Sequence, residues 1–317
     1  MGIVVVGAVM VDIKGYPMCQ YIPSGRNVGR VVQVHGGVAR NVVEDIANVE
    51  LKPTFVSVVD KSGISEDVVA KLERHKVDTR FVKRTENGLG TWLAVFDNYG
   101  DVVASVSQRP DLSEIGTMFE EHGDEIVKNA DSIVVEVDME SSILKKIFNL
   151  AEKYNKKVFA VVSNMTIAME RRDLLKKTDC VVCNIQEAGL LFTEDYSGKT
   201  PEEMAEIIQK KAELAGISNM IVTMGSQGAV WAQPGGKCGV CPAQNVVVVD
   251  TTGCGDAFFA GVAIGLTYGK TLADSCAIGT RLASSVIATK ENVSPRFLPS
   301  EFDLDVDIKS TSDVKNK

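Results

Sequence analysis

Nowhere in the 317 residues is there a run of about eighteen apolar residues, so no segment has the length a helix needs to cross a bilayer. The N-terminus, M-G-I-V-V-V-G-A-V-M-V-D, lacks the basic flank of a secretory leader and meets Asp12 early. Gly2 has no Ser or Thr at position 6 behind it, which removes a myristoylation signal. These absences give the expectation of a cytoplasmic protein without membrane contact. A basic excess is also missing: 34 Lys and Arg face 42 Asp and Glu, a net charge of −8, which argues against a nucleic-acid surface. Among seven cysteines there are two C-x-x-C pairs, Cys180/Cys183 and Cys238/Cys241, with no further pair at zinc-knuckle spacing. The first pair lies in a β-like run, where positions three apart point to opposite faces and share no metal. The second has a more turn-like setting. An odd total agrees with free thiols. Nor is there a P-loop: Gly269-Lys270-Thr271 ends like one, but Ile264 stands where its first glycine belongs, and the stretch reads as a helix C-cap.

What is present is a large apolar fraction, 45%, arranged in short β-branched runs alternating with amphipathic stretches, the pattern of an α/β fold. Ser132–Val137, Ser141–Tyr154 and Lys157–Val162 read as strand, helix, strand. Phe55–Val59 and Met220–Thr223 read as buried strands, Asp67–Lys76 as a helix, and Pro201–Ala215 as a helix capped by Thr200. E-R-R-D-L-L-K-K, with Arg171 and Arg172, reads as a solvated helix face. The charged stretch from Asp303 onward reads as a frayed tail.

The rest of the chain is organised around V-V-V-V-D-T-T-G-C-G-D, Val246 to Asp256. The valines suit a strand buried on both faces, D-T-T-G a turn, and Ala257–Leu266 an apolar helix with small residues on its surface. The first amides of such a helix have no intrahelical partners, and Gly253 and Gly255 leave them uncovered, so a phosphate is the natural guest. On this reading a side chain placed at Gly253 would cover those amides. Asp256, a carboxylate in the first turn beside an anion site, is suited to handling a proton there. A base beside a phosphate cradle implies phosphoryl transfer to a hydroxyl.

D-T-T-G-C-G-D resembles the D-T-x-G-A-G-D signature of the ribokinase-like (phosphofructokinase-B type) carbohydrate and nucleoside kinases, with Cys254 where alanine is usual. The resemblance extends from Gly7 to Pro295. It implies a three-layer α/β/α kinase domain over residues 1–300, with a mostly parallel sheet and a small β-lid from about 13–35 and 89–107, followed by a tail at 301–317. It implies that the Gly253–Gly255 amides are the anion hole and Asp256 the base, and that Asp12 with Gly36, Gly37 and Asn41 of G-G-V-A-R-N binds substrate hydroxyls. T-M-G-S-Q-G, with Thr223, Gly225 and Gly228, resembles the family's nucleotide loop, which Asn184 and Thr252 would join. Asn184 and Glu187 of C-N-I-Q-E resemble the N-x-x-E that orders Mg²⁺ through water, and Asp250 marks a K⁺ position. The Asp-Pro usual after the strand ending at Val162 and the Lys-Pro usual before Asn184 are missing. The implied reactants are ATP with Mg²⁺ and a sugar or nucleoside. Exposed lid strands give the further expectation of a homodimer by edge pairing through the lid. G-A-V-M-V-D-I-K-G-Y, G-G-V-A-R-N and Leu93–Asp101 look closest to the pseudouridine kinases of the family. A free-sugar kinase and a non-catalytic nucleotide sensor are the alternatives.

Overall fold

Runs of valine and isoleucine build the main sheet. All four side chains of β1 (Ile3–Val6) are buried. Val5 packs into the helix layer on one face, Val4 and Val6 into the layer on the other, the alternation of a strand covered on both sides. The computed structural model describes residues 2–99, 101–162, 165–233 and 235–305.

The apolar N-terminal run does not continue as one strand to Asp12. It breaks at Gly7, where a Cβ would lie 2.4 Å from the Glu136 carboxylate. It resumes as β2 (Met10–Pro17), antiparallel to β3 (Gly29–Gly36) in a second sheet. Asp12 therefore sits in a strand of the small sheet and not at the end of the first. The chain returns through α1 (Val38–Asn48), which is almost wholly buried, to β4 (Thr54–Val59). Next comes α2 (Gly63–Arg74), which starts ahead of the expected Asp67 because the Ser62 side chain caps it, accepting from the Ser65 amide. β5 (Asp78–Arg84) lies outside the sequence expectations: at this sheet edge only Phe81 and Val82 of D-T-R-F-V-K-R are buried, too few to show a period.

β6 (Gly90–Phe96) and β7 (Val102–Gln108) form a hairpin within the 89–107 stretch expected as lid; Gly100 of its turn is outside the described residues. β6 runs parallel to β2, giving a four-stranded sheet in the order β3-β2-β6-β7. The cross-strand row Asp12, Trp92 and Ser107 faces a cavity, and the next row, Ile13, Leu93 and Val106, belongs to the outer face.

α3 (Ser113–Lys128), β8 (Ser132–Glu136), α4 (Ser141–Lys153) and β9 (Lys157–Val161) continue the alternation. Two short helices, α5 (Met165–Met169) and α6 (Arg172–Leu175), replace the expected solvated helix face. There Arg171 donates to the Val137 carbonyl, and Arg172 Nη2 to that of Leu191 at 2.9 Å. After β10 (Cys180–Asn184), α7 (Ile185–Phe192), α8 (Pro201–Ala215) and β11 (Met220–Thr223), the sheet ends in β12 (Ala229–Ala232) and β13 (Cys238–Cys241). Its order is β13-β12-β11-β10-β9-β8-β1-β4-β5, parallel from β11 to β5 and antiparallel in the last two pairings. This is the expected α/β architecture. Cys180 and Cys183 enter opposite layers as the strand period requires, whereas Cys238 and Cys241 lie in a strand and not a turn.

α9 (Cys254–Thr267) and α10 (Leu272–Ile287) complete the layer shared with α1. They touch backbone to backbone: a Cβ on Gly261 would lie 2.6 Å from the Gly279 Cα. Gly269, at φ 80°, ends the first helix and Thr271 caps the second. The tail does not fray at Asp303, whose carbonyl accepts from Lys270 Nζ at 2.7 Å, and Leu304 is buried. Residues 306–317 lie outside the described part.

The largest departure is at Val246–Val249. The four valines form no strand; they are 38%, 81%, 65% and 48% exposed, held by the Val249 amide donating to the Ile287 carbonyl at 2.8 Å. The sheet already ends at β13, so the run crosses the end of α10, and Val246 and Val248 line a cavity there.

Candidate functional site

In the strand order β9-β8-β1-β4 the chain reverses direction of progression between β8 and β1. The carboxyl ends of such strands leave a crevice, the usual ligand position in open α/β sheets. Here the crevice is a cavity of about 590 Å³. Ala8 follows β1, Glu136 and Asp138 lie at and after the end of β8, and the small sheet covers them with Asp12, Trp92 and Ser107. Gly36, Gly37, Asn41, Thr252, Gly253 and Asp256 line the same space.

Asp256 stands in the first turn of α9. It keeps some surface open to the cavity, although protein atoms crowd it closely enough that burial pushes its carboxyl up to about 6. Opposing that, Asn41 Nδ2 donates to Asp256 Oδ2 at 2.6 Å and the Arg40 guanidinium adds positive charge; Asp12 pushes the same way as burial. Burial raises Asp12 as well, against Lys14 and Arg40. Arg40 itself is fully buried and is held by Glu44 at 2.5 Å. Burial would raise Glu44, yet Arg40 and Lys71 together hold it below its ordinary value. A single buried cation thus serves two acids at the cavity and a third behind it.

Asn41 Nδ2 donates to Asp256 and its Oδ1 accepts from Asn292 Nδ2 at 3.3 Å, so the amide orients the carboxylate, and its second N–H remains for a group in the cavity it lines. Gly36 makes room for Asp12: a Cβ there would lie 2.9 Å from Asp12 Oδ1.

The glycines of the loop differ from one another. Gly253 is left-handed, φ 81°, and its Cβ would come 2.0 Å from the Asn292 carbonyl. A side chain there would strike backbone and would not cover the amides, contrary to the sequence expectation. Gly255 faces open space, with nothing within 4 Å of an added Cβ. That space belongs to a second cavity, about 500 Å³, lined by Thr251, Cys254 and Gly255 of the loop. Thr223, Gly225 and Gly228 stand on another side of it, and Val246, Val248, Phe258 and Ile287 form an apolar wall. Of the four exposed valines, Val246 and Val248 are cavity wall.

Asn184 and Glu187 lie outside both cavities, although Asn184 pairs in register with Thr223 at the same sheet edge. They form a reciprocal helix cap: Asn184 Oδ1 accepts from the Glu187 amide at 2.9 Å, and Glu187 Oε2 from the Asn184 amide at 2.8 Å. Burial raises the Glu187 carboxyl, and no salt bridge reaches it among the described residues, so its second oxygen is open to a hydrated cation. Asp250 Oδ1 accepts from the Thr252 amide at 2.8 Å and shapes the turn before the loop. Among the described residues no cluster of three or more metal-binding side chains occurs, and no helix is long and apolar enough to cross a membrane.

Sequence reasoning missed Glu136, Asp138 and Asn292. Glu136 is a buried carboxylate accepting from the Ala8 amide at 2.8 Å, and an acid inside S-I-V-V-E-V was its visible signal. Asn292, in a loop with no period, gave none.

Two cavities meeting at one glycine loop, an acid at the loop's helix and a β-lid over one cavity define a phosphotransferase of small molecules. The comparisons agree: the sequence matches the pfkB family of carbohydrate kinases over residues 2–296, and the chain belongs to that family as an ATP-dependent carbohydrate or nucleoside kinase. It is 30% identical over 292 residues to a guanosine-inosine kinase of Exiguobacterium acetylicum, covering 92% of this chain and 95% of that one. A pseudouridine kinase of Escherichia coli is 22% identical over 295 residues, covering 92% of each. The structure of Arabidopsis thaliana ribokinase complexed with ribose and ATP superposes with a TM-score of 0.79 at 20% identity, covering 93% of this chain and 96% of that one.

Proposed function

We propose that the protein is a nucleoside kinase, transferring the γ-phosphoryl group of ATP to the primary hydroxyl of a ribonucleoside. The observation that carries this reading is the 251–256 loop as a shared wall: Thr252, Gly253 and Asp256 face the cavity under the lid, and Thr251, Cys254 and Gly255 face the other. ATP would lie in the second cavity, its base against the valine wall and its terminal phosphate at the loop. Asp256 accepts the proton of the attacking hydroxyl as the oxygen–phosphorus bond forms and the bond to ADP breaks. The amides at the start of α9 bind the charge on the phosphoryl oxygens. Mg²⁺, held through water near Glu187, would supply further charge neutralisation, and K⁺ near Asp250 would stabilise the turn.

A nucleoside is favoured over a free pentose because the lid cavity, about 590 Å³, holds more than a sugar ring. Beside Asp12 it offers Trp92, a stacking surface, and it continues to Arg109, whose Nη2 lies 3.7 Å from Asp138 Oδ2. A guanidinium beside a carboxylate matches a base edge that sets a carbonyl acceptor next to a ring N–H donor. Guanine, hypoxanthine and the uracil ring of pseudouridine all offer that edge; adenine does not. The similarity to a guanosine-inosine kinase supports the purines, and the lid stretches support pseudouridine.

A coupled ADP-release assay over guanosine, inosine, pseudouridine, adenosine and ribose tests the reading. Turnover is expected with at least one lactam nucleoside, with ribose and adenosine weaker by about tenfold or more in kcat/KM. Asp256→Asn should lower that turnover by about two to four orders of magnitude while binding persists. Ribose as the best acceptor would overturn the nucleoside assignment, and near-native turnover by Asp256→Asn would overturn the mechanism.

A further inference from the structure

At the other end of α1 from the lid cavity lies a third cleft, of about 480 Å³, within the range of small-molecule sites. Its walls are the C-terminal half of α1, the last turn of α2 and the segment 289–296. In a chain of net charge −8 it gathers Lys52, Lys71, Arg74, Lys76 and Arg296. Lys71 is paired with Glu44, and Lys76 and Arg296 with Glu50. Lys52 and Arg74 form no salt bridge among the described residues; with Glu291 as the third carboxylate of the lining beside Glu44 and Glu50, the five cations still leave the opening positive over an apolar floor of Ala47, Val293 and Pro295. Helix-dipole compensation accounts for a cation at the end of α2, but not for Lys52, which precedes β4, nor for the concave shape.

The cleft is joined to the catalytic loop by hydrogen bonds. Asn48 Nδ2 donates to the Ser294 carbonyl at 2.7 Å, so its Oδ1 is the acceptor for His75 Nδ1 at 2.6 Å. The Ser294 amide donates to Asp45 Oδ1 at 2.6 Å. Two residues earlier, Asn292 holds Asn41 Oδ1 and sets its carbonyl against Gly253. A ligand that draws Lys52, Arg74 and His75 together therefore pulls on the segment that backs the anion hole and, through Asn41, orients Asp256.

We propose that this cleft is an effector site for a phosphate-bearing small molecule, whose occupancy changes catalysis through residues 292–294. A phosphate dianion satisfies several spread cations at once, and an attached sugar or base would cover the apolar floor. The free ion and a phosphorylated metabolite share this chemistry, so both are used as probes.

The full chain, with a non-hydrolysable ATP analogue held saturating, is titrated calorimetrically with orthophosphate, ribose 5-phosphate and a nucleoside 5′-monophosphate, alongside the Lys52→Gln/Arg74→Gln variant. At least one probe should bind the unaltered protein with a Kd below about 10 mM and lose about tenfold or more in affinity in the variant. The same probe should change kcat or KM at least about twofold in the unaltered protein and leave the variant, whose activity without effector is unchanged, insensitive. Ribose 5-phosphate or the monophosphate binding more tightly than orthophosphate identifies a metabolite; equal affinities identify the free ion. Equal binding in both proteins, no binding of any probe at that concentration, or binding without kinetic effect would each overturn the proposal. An unchanged thermal midpoint shows that the variant is folded.

Discussion

At Asp256 the balance of burial against two stabilising partners decides when the carboxylate can act. Its pKa near 6 makes it the proton acceptor above that pH, so kcat/KM should fall as pH drops through about 6. Burial raises that pKa, and the Asn41 hydrogen bond draws it back down. Removing the amide in Asn41→Ala should therefore move the acid limb of the profile to higher pH and reduce kcat more than it raises KM, because the base is freed from its orientation. An unmoved limb with a raised KM alone would return Asn41 to hydroxyl binding. Asp45, one turn along the same helix, carries a different titration. Burial holds it at about 8 against an ordinary 3.8, and Ser294 only partly offsets that. A raised folded pKa means a stability contribution fully present below about 3.8 and lost as pH rises through about 8, on the order of 1.4 kcal/mol for each unit crossed. Asp45→Asn keeps the acceptor for the Ser294 amide and removes the titration. Its thermal midpoint should thus exceed that of the unaltered chain by a margin that widens from pH 5 to pH 8; a constant margin would refute the assignment.

Among the elements, α9 is shaped at both ends of its use. Its N-terminus is the catalytic loop, where the two glycines should respond differently to the same change. Gly255→Ala projects into open space and should leave folding intact while weakening ATP, by roughly 1–3 kcal/mol of lost phosphate contact. Gly253→Ala drives a Cβ into the Asn292 carbonyl from a left-handed conformation and should lower stability by roughly 1–3 kcal/mol, seen in urea unfolding, whatever its effect on rate. The reverse pattern would mean the loop is read the wrong way round. Strands and helices with a full period were legible before folding: α8 with its Thr200 cap and Pro201, β11, and the β8-α4-β9 unit all begin within a residue of expectation. The valine run at 246–249 was misjudged because an apolar run does not say whether it enters a sheet: here two of its side chains line a cavity and Val247 stands in the open. β5 went unseen because an edge strand buries too little to print a pattern.

For the whole molecule, the alternation in the small sheet has a consequence outside the active site. Asp12, Trp92 and Ser107 turn to the cavity, which leaves Val31, Leu93 and Val106 at 70%, 44% and 68% exposure on the outer face. We propose that this face pairs with the same face of a second copy. Val31→Asp with Val106→Asp should yield a monomer in analytical ultracentrifugation where the unaltered chain is a dimer; a monomeric unaltered chain would rule the pairing out. The local order of chemistry is written in sequence: which residues cap, which glycines open a loop, which acid follows them, because each depends on neighbours within a turn or two. The family signature is of that kind. Only the folded chain decides what lies across space. Asn41 reaches Asp256 over 215 positions, Asn292 backs Gly253, and the lid row of Asp12 and Trp92 closes over the end of β8. Such contacts follow from strand order and helix packing, which no local pattern encodes, and they set the pKa of the base, the shape of the lid cavity and the hydrogen bonds that tie residues 292–294 to α1.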